Sequence, residues 1–552
     1  MVDEKVFKLA LDEAKRMDRS VAEILISQNI VTTDYYTDLL TKFYEVRKAN
    51  LQNRKIDETI VRLLPEKIAR EKRTIVFGKT PAGIFEVAME DPTNLQTMEF
   101  LTKFLKGKIE PFLASQDDLN RGFAYYGRQL TQDFNKIIEE NIQASLRSKV
   151  AVVKEAASEV PIVAIVDNLV GYAIASRASD IHIEVLEEGV LVRYRVDGIL
   201  HEVIRMPKEV QPAIVARVKL LAGLKLDEHS RPQDGRFRHK VGGDLMDIRV
   251  AIMPTFYGEK VEMRLLSATE RPLSLEELGL LEADVGVIKE DIKKTYGMVL
   301  VTGPTGSGKT TTLYSVMNIL NRPEVNIVTI EDPIEYDMKY INQTQINPAA
   351  GITFASGLRE IVRQDPNIIM VGEIRDQETA QIAVQAALTG HLVLSSLHTN
   401  DAPTAVPRLI DLGLMPFLAA AVLNLIEAQR LVRRICFDCI VSYQPDKGVI
   451  ETLREQWQEL KISAEFKPPL ILYKGTGCVA CNHTGYRGRI GIFELLNVSE
   501  DIRKLIVDPK FTLDALRDLA RKHGMVTMFE DGLRKVERGL TTLDEVMRVI
   551  RE

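Results

Sequence analysis

A chain of 552 residues with 45% apolar content has enough nonpolar surface for several packed cores, about three or four domains at roughly 150 residues each. Its formal net charge of −6 argues against a general affinity for nucleic-acid phosphates, so no nucleic-acid partner is expected. The opening Met1-Val2-Asp3-Glu4-Lys5-Val6 lacks the apolar core of a secretory leader, and no uncharged apolar run of about 18 residues occurs. A cytoplasmic protein is expected, reaching a membrane only through partners.

Residues 1–145 show helical periodicity, as in Val21, Ile24 and Leu25 or Tyr36, Leu39 and Leu40. Around 74–115, short apolar runs broken by Pro and Gly predict a small α/β unit with nothing catalytic in it. The polar stretch from Gln129 to Glu159 reads as a helical linker, bounded at 146–160. From Pro161 a helical run to Ala178 precedes alternating segments at Ile181–Glu184, Val190–Arg195 and Met246–Val250. That alternation predicts an α+β domain with a half-exposed sheet over 161–271. From 272 to 552 short apolar strands alternate with helices, as in a parallel sheet with crossovers. The stretch Leu412 to Ile426, interrupted by Pro416 and Asn424, reads as a buried pair of helices.

Within this last region, Gly303-Pro304-Thr305-Gly306-Ser307-Gly308-Lys309-Thr310 is a complete Gly-x-x-x-x-Gly-Lys-Thr loop. An apolar strand, Met298–Val301, precedes it, and helical spacing from Thr310 to Leu320 follows. The glycines let backbone N–H groups and the positive helix end face phosphates. Lys309 can reach the β- and γ-phosphates, Thr310 can place its hydroxyl on Mg²⁺, and Thr311 extends the cradle. A bound nucleoside triphosphate is expected.

Three later segments place polar groups at strand ends, where doubly wound sheets bind their ligands. Ile327–Ile330 ends in Glu331-Asp332-Pro333-Ile334-Glu335, carboxylates able to hold an attacking or metal-bound water. Ile368–Val371 ends in Gly372-Glu373, a Walker-B layout with Glu where Asp is commoner. Gly390 through Thr399 sets His391 and His398 at the two ends of one strand, either to contact phosphate or to sit as core histidines.

Cys436-x-x-Cys439 and Cys478-x-x-Cys481 offer four soft ligands for a tetrahedral Zn²⁺, and Gly475, Gly477 and Gly485 permit tight turns. Redox dithiols and disulfides are the alternatives, and His483 could replace one thiolate. With four protein ligands no coordination position stays open, so such a zinc is structural.

Together these residues resemble the secretion-superfamily ATPases that drive type IV pilus extension and type II secretion, over about residues 160–552. Ala178-Ser179-Asp180-Ile181-His182-Ile183-Glu184 and Arg195-Val196-Asp197-Gly198 resemble the signature of that family's second N-terminal domain, which is PAS-like. Glu331 to Glu335 resembles its Asp box, in which Glu335 is the general base. Arg363-Gln364-Asp365-Pro366 with Gly372 to Asp376 resembles its atypical Walker-B region, and Gly390 to Asn400 its His box. Asn367 stands where an acid is usual.

The resemblance implies a multidomain α/β chain: a RecA-like P-loop ATPase domain, the α+β domain before it, and a helical/α+β N-terminal domain. It implies a hexameric ring using ATP, Mg²⁺ and Zn²⁺, with Glu373 supporting Mg²⁺ through water. It also implies that Arg249 and Arg264 reach the γ-phosphate of a neighbouring subunit, whereas alternation alone makes them solvated strand residues or structural ion pairs. Tetracysteine insertions belong to extension and secretion members rather than retraction members. The expected function is ATP-driven assembly of a type IV pilus through an inner-membrane platform protein, with a type II secretion pseudopilus as the alternative. A nucleotide-dependent scaffold and a DNA-linked conjugation motor are the remaining readings. The first domain is expected to dock on a membrane-associated partner. Met17 to Leu25 only loosely resembles a cyclic di-GMP pattern and lacks its Arg-Leu-Gly, so that ligand is not expected.

Overall fold

The computed structural model describes residues 7–8, 10–11, 14, 21–27, 30–31, 33–51, 54, 56–147, 157–241, 244–267, 272–459 and 471–551. The start of the Met17 to Leu25 stretch, and 148–156 of the expected linker, lie outside them. The chain forms two units. One comprises Met1–Thr269 with Cys436–Tyr443 and Gly475–Arg487, the other Glu270–Ile435 with Gln444–Lys474 and Gly488–Glu552. Among the described residues no helix is long and apolar enough to cross a membrane.

The first unit contains two sheets. The smaller runs in the order Arg47–Lys48, Ile109–Leu113, Phe85–Met89, Thr74–Lys79. Helix Leu95–Phe104 connects the parallel strands Phe85–Met89 and Ile109–Leu113, and Asn94 caps it by accepting from Thr97 N at 3.0 Å. Next comes a 32-residue helix, Gln116–Arg147. Its Leu119 and Phe123 join the core of the small sheet, whereas Phe134, Ile138 and Ile142 join that of the next sheet. From Gln129 to Arg147 the polar stretch is therefore part of an amphipathic helix with a buried stripe.

The larger sheet is antiparallel, in the order Ile199–Met206, Val190–Val196, Ala178–Val185, Gly258–Ser267, Asp244–Thr255, Gln233–Val241. Helices Val160–Ala175 and Gln211–Leu221 supply Ile165, Leu169, Ile214 and Val218 to the core formed with Ile181, Ile183, Val250 and Met263. The alternate residues Asp180, Arg249 and Arg264 point to the opposite face.

The second unit is built on a seven-stranded sheet. Its order is Ile341–Gln345, Ile327–Glu331, Ile368–Val371, Leu392–Leu397, Gly297–Thr302, Leu423–Ile435, Tyr486–Asn497. The first six strands pair in parallel. All six residues of Gly297–Thr302 are buried, as expected of a strand covered on both faces. The Leu412 to Ile426 stretch departs from the expected helix pair. Helix Pro416–Val422 ends there, and Leu423 onward is a strand whose Leu425 lies opposite Val299. A short apolar run fits a buried helix or a buried strand equally well, and pairing beside the phosphate-loop strand decides it.

Candidate functional site

The phosphate loop leaves the end of strand Gly297–Thr302 and enters helix Lys309–Leu320 through Gly308, which has φ 93° and no side-chain cap. The first N–H groups of that helix thus face an open concavity suited to an anion. Gly303 has φ 148°, and a Cβ there would lie 2.6 Å from the carbonyl oxygen of Gln429. Lys309 Nζ donates to the carbonyls of Gly303 at 2.8 Å and Pro304 at 3.0 Å. Burial lowers its pKa, and the nearby charge of Glu373 opposes that shift. Thr305, Gly306 and Thr310 are exposed at the mouth, and Ser307 is buried beneath it.

Gln429 carries no motif and escaped the sequence reading. It sits on the adjacent strand, accepts from Thr312 Oγ1 at 2.6 Å and donates from Nε2 to the carbonyl of Ser307 at 2.6 Å. Both ends of one buried amide therefore fasten the loop to its helix and to the sheet.

At the end of strand Ile327–Glu331 the acids separate. Glu331, grouped by sequence with Glu335, is buried and accepts from Tyr314 Oη at 2.5 Å, Thr329 Oγ1 at 2.5 Å and Gln343 Nε2 at 3.2 Å. Burial pushes its pKa up and the hydrogen bonds oppose the shift. It is thus engaged by protein donors rather than directed at water. Tyr314 Oη also accepts from the backbone N of Glu335 at 3.2 Å, so the pair Glu331–Tyr314 sets where the half-buried Glu335 begins. The Asp332–Pro333 peptide between them is cis.

One strand over, the carbonyl of Ile330 accepts from Gly372 N at 2.8 Å and that of Ser396 from Ile374 N at 3.0 Å, which fixes the backbone on either side of Glu373. The Glu373 carboxylate meets Arg375 Nη2 at 2.5 Å and His398 Nε2 at 3.4 Å. His391 requires a correction. It precedes strand Leu392–Leu397, whose Leu392 is in register with Gly297, whereas Leu397 is in register with Thr302 beside the phosphate loop. Seven residue steps at ~3.3 Å each separate the two histidines by about 23 Å. His391 Nδ1 contacts the carbonyl of Ala386 at 2.8 Å, at the end of helix Gln377–Leu388. His398 joins the phosphate edge and His391 does not.

In the first unit, Arg195 lies opposite Asp180, Asp180 opposite Arg264, Arg264 opposite Arg249, and Arg249 opposite Arg236. Directly opposed residues share a face, so four guanidinium groups and one carboxylate form a row across the sheet. Asp180 accepts from Arg264 Nε at 3.0 Å and pairs with Arg195 Nε at 3.5 Å, yet the Arg264 side chain remains 55% exposed. The ion pair and the outward-facing cation coexist. Arg236 as a row member was not anticipated.

The four cysteines meet in that same unit, with no disulfide between them. Sγ separations are 3.8 Å for Cys436–Cys478, 3.9 Å for Cys439–Cys481 and 3.8 Å for Cys478–Cys481, and all four sulfurs lie within 4.8 Å of one another. A tetrahedron of thiolates at ~2.3 Å from zinc has edges of about 3.8 Å, so the donor set fits that metal. The sulfur of Cys481 also accepts from the N–H groups of Cys478 at 3.1 Å and Gly485 at 3.3 Å. The Asp438 carboxylate, between the first two cysteines in the chain, pairs with Arg73 at 3.3 Å and Arg487 at 3.2 Å. The sulfur quartet is complete without His483.

A parallel sheet with a phosphate loop at one edge, a lysine beside an acid from a second strand, and an acid cluster on a third defines a RecA-like P-loop ATPase. The chain belongs to the Type II/IV secretion system protein family, whose model matches residues 155–548, and an MshEN domain matches residues 44–133. It is 40% identical to the type IV pilus assembly ATPase PilB of Myxococcus xanthus, over 99% of this chain and 96% of that protein. It is 48% identical to the type II secretion system ATPase E of Vibrio cholerae, over 72% of this chain and 77% of that one. Among solved structures, the Yersinia pseudotuberculosis ATPase DotB shares the fold with a TM-score of 0.52 and 23% identity, covering 70% of this chain and 93% of that chain.

Proposed function

We propose that the chain is a motor ATPase that powers assembly of a type IV pilus. The supporting observation is the extent of likeness to the Myxococcus pilus assembly ATPase, 40% over 99% of the chain, N-terminal region included. ATP binds along Gly303 to Thr311, where backbone N–H groups take the phosphates and Lys309 turns from its two carbonyls to the β- and γ-oxygens. Mg²⁺, when bound, would neutralise charge on those oxygens, and Thr310 and Glu373 are the residues that would hold it. Glu335 orients the attacking water and takes its proton as the γ-phosphorus bond to ADP breaks. Arg249 and Arg264 complete the site from the next subunit of a hexamer, and His398 reads the γ-phosphate through Glu373.

Hydrolysis moves 161–271 against 272–552, and the ring passes that motion to an inner-membrane platform protein at the cytoplasmic face of the membrane. Residues 1–145, joined through 146–160, dock on a membrane-associated partner. The cysteine quartet holds a structural Zn²⁺. Metal analysis should find one zinc per chain, and Cys439→Ser should lose it together with thermal stability; a metal-free, fully stable wild type would remove zinc.

The decisive experiment is Glu335→Gln in full-length protein. Hydrolysis should be abolished while ATP binding is retained, and normal turnover would take Glu335 out of its role. The 48% identity to the Vibrio secretion ATPase favours pseudopilus assembly as a second reading. Whether a pilus-type or a secretion-type platform protein stimulates turnover decides between them.

A further inference from the structure

His398 meets Glu373 at 3.4 Å, and three consecutive residues soon after it are each tethered by a different C-terminal element. Asn400 Oδ1 accepts from Arg430 Nη2 at 3.4 Å, on strand Leu423–Ile435. The Asp401 carboxylate accepts from Arg517 Nη2 at 2.7 Å, on helix Leu513–Lys522, and from Thr404 N at 2.8 Å. Ala402 N donates to Glu494 Oε1 at 2.9 Å, on strand Tyr486–Asn497. The other oxygen of Glu494 accepts from Met528 N at 3.4 Å, the first residue of helix Met528–Glu537.

Glu494 is 5% exposed. A carboxylate so placed costs free energy to bury, and burial, with Asp401 as a nearby like charge, pushes its pKa up to about 7. Its two oxygens join two backbone donors from distant parts of the chain, the turn after His398 and the start of a C-terminal helix. An apolar residue would fill the space more cheaply but leave both donors unsatisfied. Glutamine would present an NH₂ to one of them.

We propose that Glu494 and Arg517 are positioning residues that hold the turn at 400–402, keeping His398 against Glu373 and tying the phosphate edge to the C-terminal helices. The proposal rests on the reading of Glu373 and His398 as parts of the hydrolytic edge. Neither Glu494 nor Arg517 touches nucleotide in this scheme, so their loss should lower kcat and spare KM.

The test is steady-state ATPase activity of assembled full-length variants. Glu494→Gln should reduce kcat about tenfold, within the range that ångström-scale misplacement produces, and change KM for ATP by less than about twofold. Arg517→Gln, at a half-exposed site that leaves the core intact, should act in the same direction and less strongly. In a His398→Ala background either substitution should add less than about twofold, because the residue they position is gone. Undiminished kcat in both single variants would overturn the proposal. So would an equal fold-loss in the His398→Ala background, which marks general destabilisation. Wild-type turnover by His398→Ala would also overturn it, while leaving hydrolysis itself to be judged separately by Glu335→Gln.

Discussion

In the seven-stranded sheet, six of whose strands pair in parallel, every residue of strand Gly297–Thr302 is buried, and polar chemistry starts where the strand stops, at Gly303. The same holds at Glu331, Gly372-Glu373 and His398, each at or just past the end of its strand. The six-stranded antiparallel sheet behaves differently. It buries Ile181, Ile183, Val250 and Met263 on one side and sets Arg249 and Arg264 on the other, with the buried Asp180 paired to Arg264. A sheet covered on both faces can act only at its edge, whereas a sheet with one wet face can present a charged row along its whole width. The edge is fixed by hydrogen bonds between neighbouring strands and segments, and in the proposed ring the row meets the edge of the next subunit.

The strongest way to break this contrast is through the row. Arg264→Ala should lower turnover of the assembled ring by ~10³, the scale of a lost arginine finger, with ATP binding nearly unchanged. Mixing Arg264→Ala with Glu335→Gln protomers should restore part of the turnover, because some interfaces then combine an intact row with an intact edge. Full activity of Arg264→Ala, or no recovery on mixing, would dissolve the division between edge and row. Gln429→Ala sharpens the edge side. Freeing Thr312 and the carbonyl of Ser307 from their buried amide should weaken ATP binding about tenfold in a nucleotide titration. Unchanged affinity would mean that the loop holds its shape without the sheet.

The interior contrasts with both, because its expected effect falls on stability and not on turnover. Glu427 lies opposite Val301 beside the phosphate-loop strand, and its Oε1 finds no hydrogen-bond partner among the described residues. Burial pushes its pKa from an ordinary 4.5 up to about 8, with Asp284 adding repulsion. The unfolded chain ionises more readily, so stability is lost as pH rises from about 4.5 and the loss is complete above about 8. Glu427→Gln should therefore raise the melting temperature at pH 8, by at most about 4–5 kcal/mol of stability, and change little at pH 5. Equal effects at both pH values would show that the group is neutral throughout.

Much of the edge was legible because its parts are local motifs. Glycines at fixed spacing, apolar runs ending in acids and paired Cys-x-x-Cys units carry their chemistry within a few residues. His391 misled for the opposite reason: a strand has two ends, and the sequence does not say which one meets the phosphate loop until register with Gly297–Thr302 is set. Glu331 misled because adjacency to Glu335 hides the fact that Tyr314, Thr329 and Gln343 occupy it. Gln429, Glu494 and Arg517 were invisible, since each acts on residues far away in the chain.

Sequence alone therefore determined the nucleotide loop, the two paired-cysteine units, the alternation of the antiparallel domain and the parallel character of the ATPase region, all properties of short-range spacing. Tertiary structure decided which histidine lies beside Glu373, which acid is held by protein donors, where Leu423–Ile426 pairs, and which distant side chains fasten the loop. Those outcomes depend on strand register and on buried hydrogen bonds between segments far apart in the chain, and no local pattern encodes either.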